Sequence, residues 1–322
     1  MKAALALGLA LAGAVSAEFN YYNHSCTPET VRIRKEWRNL TSTEQDEYLT
    51  AVNCLMDLPA QSGLSATTNR FSDLQALHRY FTNTPFGDII HDVGQFFPWH
   101  RYFIHLEETF LREECNYTGP LPWWNEEYDA NTGEAFGSSM WDSDAFGGNG
   151  VGADNCVIDG AFANYTEHIG PENEDTTYCM DRDWNNDLAV ASAVSNMVNI
   201  CAEFDNYSQW YFCVAEINHK GVHTAVGGIM ADIKSSPGDP VFFLHHAYID
   251  RMWWNWQKTD PENRLYQIGG WVVNETANPE PAHGWGETTL GYVLSSYDML
   301  PNVTVEEVMN PMNGYLCYDY EN

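Results

Sequence analysis

A strongly apolar helix is predicted over residues 238–254, and it constrains the fold more than any other stretch of the chain. The sequence there is GDPVFFLHHAYIDRMWW. Asp239 is a suitable N-cap, and Pro240 occupies the first helical position, where a missing N–H costs nothing. Aliphatic and aromatic side chains fill most of the following turns, which indicates a helix of the protein core.

Two adjacent histidines, His245 and His246, interrupt this helix. A buried polar group without a partner costs roughly 1–3 kcal/mol, so both imidazoles need partners. Hydrogen bonds within the core would satisfy them, and so would a metal ion. Asp250, one helical turn after His246, could accept a hydrogen bond from that ring and orient it toward a metal. This stretch alone leaves both interpretations open.

Two further stretches carry histidines in regular patterns. His219 and His223 stand at i and i+4, on one face of a predicted helix. His91 and His100 belong to a segment of the form H-x4-F-F-x-W-H-R, and residues 239–250 have the form D-P-x-F-F-x-x-H-x3-D. Together these segments resemble the two copper-binding signatures of the tyrosinase, catechol oxidase and haemocyanin family. The resemblance covers most of the chain.

The resemblance implies a mainly α fold, in which an antiparallel four-helix bundle core holds a dicopper site and is wrapped by long loops and a few short strands. It implies three histidine ligands for each copper ion. The first set is His78, His91 and His100, and the second set is His219, His223 and His246.

Two other histidines are weighed against these sets. His105 is the rival of His78, but it lies five residues past His100 and therefore points off that helical face. His245 is predicted to be a packed, hydrogen-bonded neighbour of the site.

The residue types themselves favour copper over other metals. Imidazole suits copper, zinc, iron and nickel. A non-haem iron site would need a carboxylate ligand, and a zinc hydrolase of the H-E-x-x-H type would need glutamate after His219, where Lys220 stands. Two sets of three histidines without a carboxylate therefore favour a pair of copper ions, and the family resemblance implies O2 as the co-substrate.

Three further residues are candidates for roles in catalysis. In the resembled family, a glutamate shortly before the first histidine of the second set and an asparagine directly after it are thought to hold a water that deprotonates monophenols. Glu216 could be that glutamate, but Lys220 replaces the asparagine. We hypothesise that Lys220 pairs with Glu216 and weakens it as a base, so that diphenol oxidation dominates. Ile233, thirteen residues before His246, is predicted to sit where relatives gate the pocket.

The predicted function is a copper oxidase that converts o-diphenols to o-quinones with O2, with weak or no hydroxylation of monophenols. The alternatives are a haemocyanin-like O2 carrier and a tyrosinase with full monophenolase activity. The substrate class is a small phenol. A formal net charge of -30 argues against nucleic acid and anionic membranes as partners.

The first 17 residues have the form of a secretory signal peptide, with Lys2, a short apolar run, and small residues before Ala17. We therefore expect a secreted, extracellular protein. Residues 18–322 are predicted to form a single tyrosinase-like domain, monomeric and without a C-terminal shielding domain.

The 8 cysteines are expected to form disulfides, whose pairing the sequence leaves open. N-linked glycans are expected at N-x-S/T sequons, whose asparagines are Asn23, Asn39, Asn116, Asn164, Asn206, Asn274 and Asn302.

Local signals predict several helix starts. Thr41 with Glu44, or Ser42 with Gln45, forms a capping box for a helix running to about Leu58. A second capping box predicts a helix over residues 74–81, and a third helix is predicted over residues 96–112. Residues 129–187 are predicted to be a long loop region, with helix resuming near residue 210. Near the C-terminus, the resemblance implies that Tyr318 and Tyr320 pack against an arginine, either Arg34 or Arg38.

Overall fold

A computed structural model describes residues 21, 25–163, 165–273 and 286–321. The predicted signal peptide, residues 1–17, lies outside the described residues. The α-helices of the described chain are α1 Ser42–Asp57, α2 Arg70–Thr82, α3 Phe96–Cys115, α4 Glu126–Thr132, α5 Asn186–Ala193, α6 Ser195–Ala202, α7 Tyr207–Cys213, α8 Lys220–Val226, α9 Val241–Thr259, α10 Pro261–Arg264 and α11 Val305–Met309. The strands are β1 Arg32–Glu36, β2 Pro122–Trp123, β3 Thr166–Glu167, β4 Tyr178–Cys179, β5 Val293–Leu294, β6 Val303–Thr304 and β7 Tyr318–Tyr320.

The core consists of four helical units, which confirms the predicted mainly α fold. They are α2, α3, α9 and a continuous helix in which a π-helical segment, Val214–His219, joins α7 to α8. The apolar faces of these helices belong to one large cluster of buried side chains. Burial of that cluster supplies most of the driving force for folding, and it brings the predicted histidines into the interior.

The helix ends differ in detail from the sequence predictions. α1 is capped by Thr41 and Glu44, as one of the two predicted boxes requires. α2 begins at Arg70, four residues earlier than predicted, because Asn69 is its N-cap and Ser72 completes the capping box from inside the helix.

The side chain of Asp239 makes two interactions at the start of α9. The predicted start is one residue early, because α9 begins at Val241 and Pro240, not Asp239, is its N-cap. The carboxylate of Asp239 still accepts from the backbone N–H of Val241 at 3.0 Å. It also forms a buried ion pair with Arg182 at 2.7 Å, a partner that the local sequence did not reveal.

Helices α5 and α6 were not predicted, and here the prediction that helix resumes only near residue 210 is wrong. α5 consists mainly of small residues, so it lacks a strong apolar periodicity. The small residues allow close packing on α8: a Cβ atom at Gly221 would lie 2.1 Å from Oγ of Ser192. Asn218 also donates to the carbonyl of Ser192 at 2.7 Å. α5 therefore supports the helix that carries His219 and His223.

A three-stranded parallel sheet, in the order β2-β1-β7, joins the two ends of the described chain. Arg34, and not Arg38, contacts the C-terminal tyrosines. Its guanidinium lies 3.5 Å from the ring centroid of Tyr318 and donates to the hydroxyl of Tyr320 at 3.0 Å. The remaining strands form two antiparallel pairs, β3 with β4 and β5 with β6.

All 8 cysteines are paired, as expected: Cys26 with Cys317, Cys54 with Cys115, Cys156 with Cys179, and Cys201 with Cys213. The first bond fastens the sheet by linking residues 291 apart in the sequence. Within the described part of the chain, no helix has both the length and the apolar character needed to cross a membrane.

Candidate metal centre

The first trio, defined as His78, His91 and His100, converges between α2 and α3. His78 lies on α2, His91 in the loop before α3, and His100 on α3. The ring centroids are 4.9 Å apart for His78 and His91, 5.1 Å for His91 and His100, and 5.7 Å for His78 and His100. All three side chains are buried. Three ring nitrogens can therefore face one point in the core.

Each ring of the first trio is oriented through its Nδ1 atom. Nδ1 of His78 donates to the carbonyl of Lys234 at 3.4 Å, and Nδ1 of His100 to the carbonyl of Phe96 at 2.9 Å. Nδ1 of His91 donates to the carboxylate of Asp88 at 2.9 Å. These bonds fix the tautomer and leave the Nε2 lone pair for a metal, as in most protein metal sites.

The second trio, defined as His219, His223 and His246, converges between the continuous α7–α8 helix and α9. The ring centroids are 4.6 Å apart for His219 and His223, 5.0 Å for His219 and His246, and 5.3 Å for His223 and His246. Nδ1 of His223 donates to the carbonyl of Met230 at 2.8 Å. The π-helical segment ends at His219, and His223 lies on the α-helix that follows. The pair His219 and His223 therefore spans the junction between π-helix and α-helix.

The two trios face each other across a short gap. The rings of His100 and His246 are stacked with centroids 4.5 Å apart, and those of His91 and His219 are 6.4 Å apart. The six rings thus form one continuous imidazole cluster in the interior rather than two separate sites.

The cluster fits a pair of metal ions. In the described structure, Nε2 of His78, Nε2 of His100 and both ring nitrogens of His219 are buried without a hydrogen-bond partner. Nε2 of His223 and Nε2 of His246 are 3.1 Å apart. Two nitrogens that bind one first-row metal ion at about 2.0–2.1 Å lie roughly 3 Å apart. The separation therefore matches two ligands of a shared ion.

Burial also keeps the rings ready to bind metal. Burial lowers the pKa values of five of the six histidines well below the usual range: His78, His100, His219, His223 and His246. Neutral imidazole is the form that binds a metal ion, so these ligands need not lose a proton first. Donor sets made only of imidazole suit copper.

A family model described as the common central domain of tyrosinase matches residues 68–259. This interval contains both trios and more than half of the 322 residues. The chain belongs to the tyrosinase family. It is accordingly a copper oxidoreductase of the tyrosinase type, and the relationship implies a dicopper centre, for which the two trios supply the ligands that we expect.

Tyrosinase relatives and solved structures agree with this assignment. The tyrosinase-like protein phomQ1 of Diaporthe leptostromiformis is 33% identical over 316 residues, which cover 91% of this chain and 78% of the relative. Tyrosinase ustQ of Aspergillus flavus is 31% identical over 307 residues, covering 89% of this chain and 79% of the relative. A variant of the polyphenol oxidase from Thermothelomyces thermophila superposes with a TM-score of 0.80 at 26% identity, covering 92% of this chain and 91% of that one.

Asp250 does not orient His246 in this tyrosinase-family chain, so that prediction is wrong. Its carboxylate accepts from Arg101 at 2.5 Å and from the hydroxyls of Tyr318 and Tyr320 at 2.5 and 2.6 Å. Nδ1 of His246 has no hydrogen-bond partner among the described residues. Arg101 and Arg34 are buried cations that both lie near Asp250, which is the only carboxylate on α9. Its negative charge is therefore paired with these guanidinium groups rather than with His246.

Glu126 is a buried residue beside the site that sequence reasoning missed. Its carboxyl group lies 2.5 Å from Nδ1 of His245. Burial raises the pKa of Glu126 well above its usual range and lowers the pKa of His245 to about 3. Both shifts favour the neutral form of the group. No sequence signal could have found this pair, because the partners are 119 residues apart.

This pairing bears on whether His245 binds metal. A ring nitrogen of His245 lies within 4.8 Å of ligand atoms of the second trio, so distance alone would admit it as a fourth ligand. Nδ1 of His245 is paired with Glu126, and its Nε2 is buried without a hydrogen-bond partner among the described residues, as are several ligand atoms of the trios. The motif position belongs to His246, so the role of His245 as a packed neighbour stays a prediction.

Glu216 and Lys220 form the ion pair that the helical spacing predicts. Nζ of Lys220 lies 2.5 Å from Oε1 of Glu216 and 2.9 Å from Oδ1 of Asp92. Asp92 directly follows His91, and Lys220 directly follows His219. The ammonium group therefore bridges the two halves of the site near its surface.

Ile233 is 42% exposed, in the segment between two 3-10 turns, Gly228–Ala231 and Ser236–Gly238. Its neighbour Lys234 contacts His78 through the carbonyl group. Ile233 thus directly precedes a residue that contacts the first trio, and its role at a pocket entrance stays a prediction.

Proposed function

We propose that this protein is a secreted dicopper polyphenol oxidase that oxidises o-diphenols to o-quinones with O2 and hydroxylates monophenols weakly or not at all. Bound copper supplies the transfer of electrons from the diphenol to O2. Each diphenol loses two electrons and two protons, so two diphenols reduce one O2 to two molecules of water. The protein holds the rings in place and excludes bulk water by burial.

The ion pair of Lys220 with Glu216 carries the preference for diphenols in this proposal. Hydroxylation of a monophenol requires a base that takes the phenolic proton, and Glu216 is the candidate. Burial alone would lower the pKa of Lys220, but hydrogen bonds from its ammonium group to Glu216 and Asp92 raise it overall. Lys220 therefore stays charged near pH 7. It remains paired with the carboxylate of Glu216, which would otherwise act as the base.

The test is to replace Lys220 with asparagine and to measure initial rates on catechol and on a matching monophenol. We expect the ratio of monophenol to diphenol activity to rise several-fold, since an exposed ion pair is worth only about 0.2–1 kcal/mol. Lys220→Arg keeps the cation and is the matched control, for which the ratio should stay low.

Two outcomes would contradict the proposal. If Lys220→Asn leaves the ratio unchanged, the ion pair does not control the preference. If the copper-loaded wild type binds O2 reversibly and fails to oxidise catechol, the chain is a carrier of the haemocyanin kind.

Secretion, glycosylation, a single domain over residues 18–322 and a monomeric state belong to the same proposal. Four disulfides are typical of an oxidising compartment. The sequon asparagines within the described residues are all exposed: Asn39, Asn116, Asn206 and Asn302. N-terminal sequencing of protein from a secreting host should begin at Glu18, and enzymatic deglycosylation should lower its mass.

A further inference from the structure

One short segment, residues 230–235, contacts a histidine of each trio through its backbone. The carbonyl of Met230 accepts from Nδ1 of His223 at 2.8 Å. Four residues later, the carbonyl of Lys234 accepts from Nδ1 of His78 at 3.4 Å. We name this segment the bridging loop. It is the only described element that orients a ring of both trios through Nδ1.

The side chain of Asp232 organises the bridging loop. Its Oδ1 accepts from the backbone N–H of Lys234 at 2.9 Å, and its Oδ2 accepts from Oγ of Ser235 at 2.6 Å. Oδ2 also accepts from the backbone N–H of Glu172 at 2.5 Å, which ties the loop to a neighbouring segment. One carboxylate therefore satisfies three donors around the residue whose carbonyl faces His78.

The backbone of the loop fixes the direction of that carbonyl. The N–H of Ser235 donates to the carbonyl of Asp232 at 3.2 Å. Since this N–H and the carbonyl of Lys234 belong to one planar peptide and point in opposite directions, the bond turns the carbonyl of Lys234 away from Asp232. The result is the orientation that meets His78.

The loop is also fastened to the helix of the first trio. Gln75 precedes His78 by about one turn on α2, and its Nε2 donates to the carbonyl of Ser235 at 3.1 Å. Ser235 and Gln75 are both fully buried. A shift of the loop would therefore alter both the His78 bond and the packing of α2.

We propose that the bridging loop couples the two copper sites and that Asp232 is a positioning residue for both. The inference rests on the proposed dicopper function only in requiring that the trios bind copper. Groups that accept from the second nitrogen of a metal-bound histidine set ring orientation and basicity, and their loss typically weakens metal binding 10–100-fold. Displacing one loop should therefore weaken one ligand of each ion.

The experiment compares copper retention by purified holoprotein in a series of chelator concentrations, without substrate. We expect Asp232→Ala to lower copper affinity at least 10-fold at both sites and to reduce the rise in Tm that copper produces. Asp232→Asn keeps one acceptor oxygen, so its loss of affinity should be smaller. Asp159→Ala is the matched control, because Asp159 is also a loop carboxylate that accepts from a backbone N–H, that of Gly148 at 2.8 Å, and among the described residues it forms no hydrogen bond to the bridging loop.

The outcomes separate the inference from the function on which it rests. Wild type that retains fewer than two copper ions would overturn the dicopper assignment itself. Wild type with two ions and an Asp232→Ala variant that loses Tm equally with and without copper, at unchanged affinity, would overturn the inference and leave only a structural role. Weakening at a single site would overturn the coupling of the two sites.

Discussion

Replacing Asp250 with asparagine is expected to destabilise the fold while leaving copper binding intact. Asp250 is buried on α9, where its carboxylate accepts from the guanidinium of Arg101 and from the hydroxyls of Tyr318 and Tyr320. A second guanidinium, that of Arg34, lies 3.6 Å away. The carboxylate thus joins α3, α9, β1 and β7 in one network that does not touch His246.

The expected cost follows from the burial of the charges. Removing one partner of a buried ion pair costs about 3–5 kcal/mol, because the other charge stays buried. The lower end applies here, since Arg101 also donates to the carbonyls of Val308 and Met309 and to Gln257. At roughly 2–4 °C per kcal/mol, Tm should fall by about 6–12 °C. Tyr318→Phe removes one hydrogen bond to this carboxylate and no charge, so it should cost about 1.5–3 kcal/mol, less than Asp250→Asn.

The assay is thermal unfolding of copper-loaded and copper-stripped protein, together with copper content after dialysis against a chelator. Asp250→Asn should lower Tm by similar amounts in both forms and retain two copper ions. The reasoning is refuted if the stripped form keeps its Tm while copper affinity falls. That result would mean that Asp250 acts on His246 after all.

Two further predictions concern single carboxylates. Burial raises the pKa of Glu107 to about 8, so the folded state holds a proton that the unfolded state releases near 4.5, and stability should fall as pH rises from about 4.5 to 8. Glu107→Gln should remove this dependence and raise the free energy of unfolding at pH 9 by up to about 4–5 kcal/mol relative to wild type, with a higher Tm; an unchanged profile of Tm against pH would contradict it. Asp88→Asn should weaken the bond to Nδ1 of His91 and lower copper affinity about 10-fold at the first site alone. Chelator titration measures this, and equal weakening of both sites would contradict it.

Local patterns predicted the histidine helices because their signals lie within one or two turns. His219 and His223 need only a helix to share a face, and the capping box of Thr41 and Glu44 needs only four residues. The motifs around His100 and His246 supplied the family. Convergence of the six rings then followed from packing four apolar helices around one core.

Polar partners in the core were not predictable in the same way. A buried carboxylate is satisfied by whichever donor the fold brings near, and sequence distance plays no part. Asp250 is bound by Arg101, which precedes it by 149 residues, rather than by its helical neighbour His246. Glu126 and His245 illustrate the same point. α5 was missed for another reason: its small side chains serve close packing on α8 and carry little periodicity.

The rings of the two trios are held in place by different interactions, and one of these interactions joins the two trios. Every ring of the first trio is oriented by an Nδ1 hydrogen bond, whereas within the described structure His219 and His246 of the second trio have no such bond. His246 is instead held by ring packing, with centroids 4.5 Å from His100 and 4.0 Å from Phe242. A ring contact of this kind contributes about 0.5–1.5 kcal/mol. The orientation of His246 therefore depends in part on the position of His100, in addition to the coupling that we propose through the bridging loop.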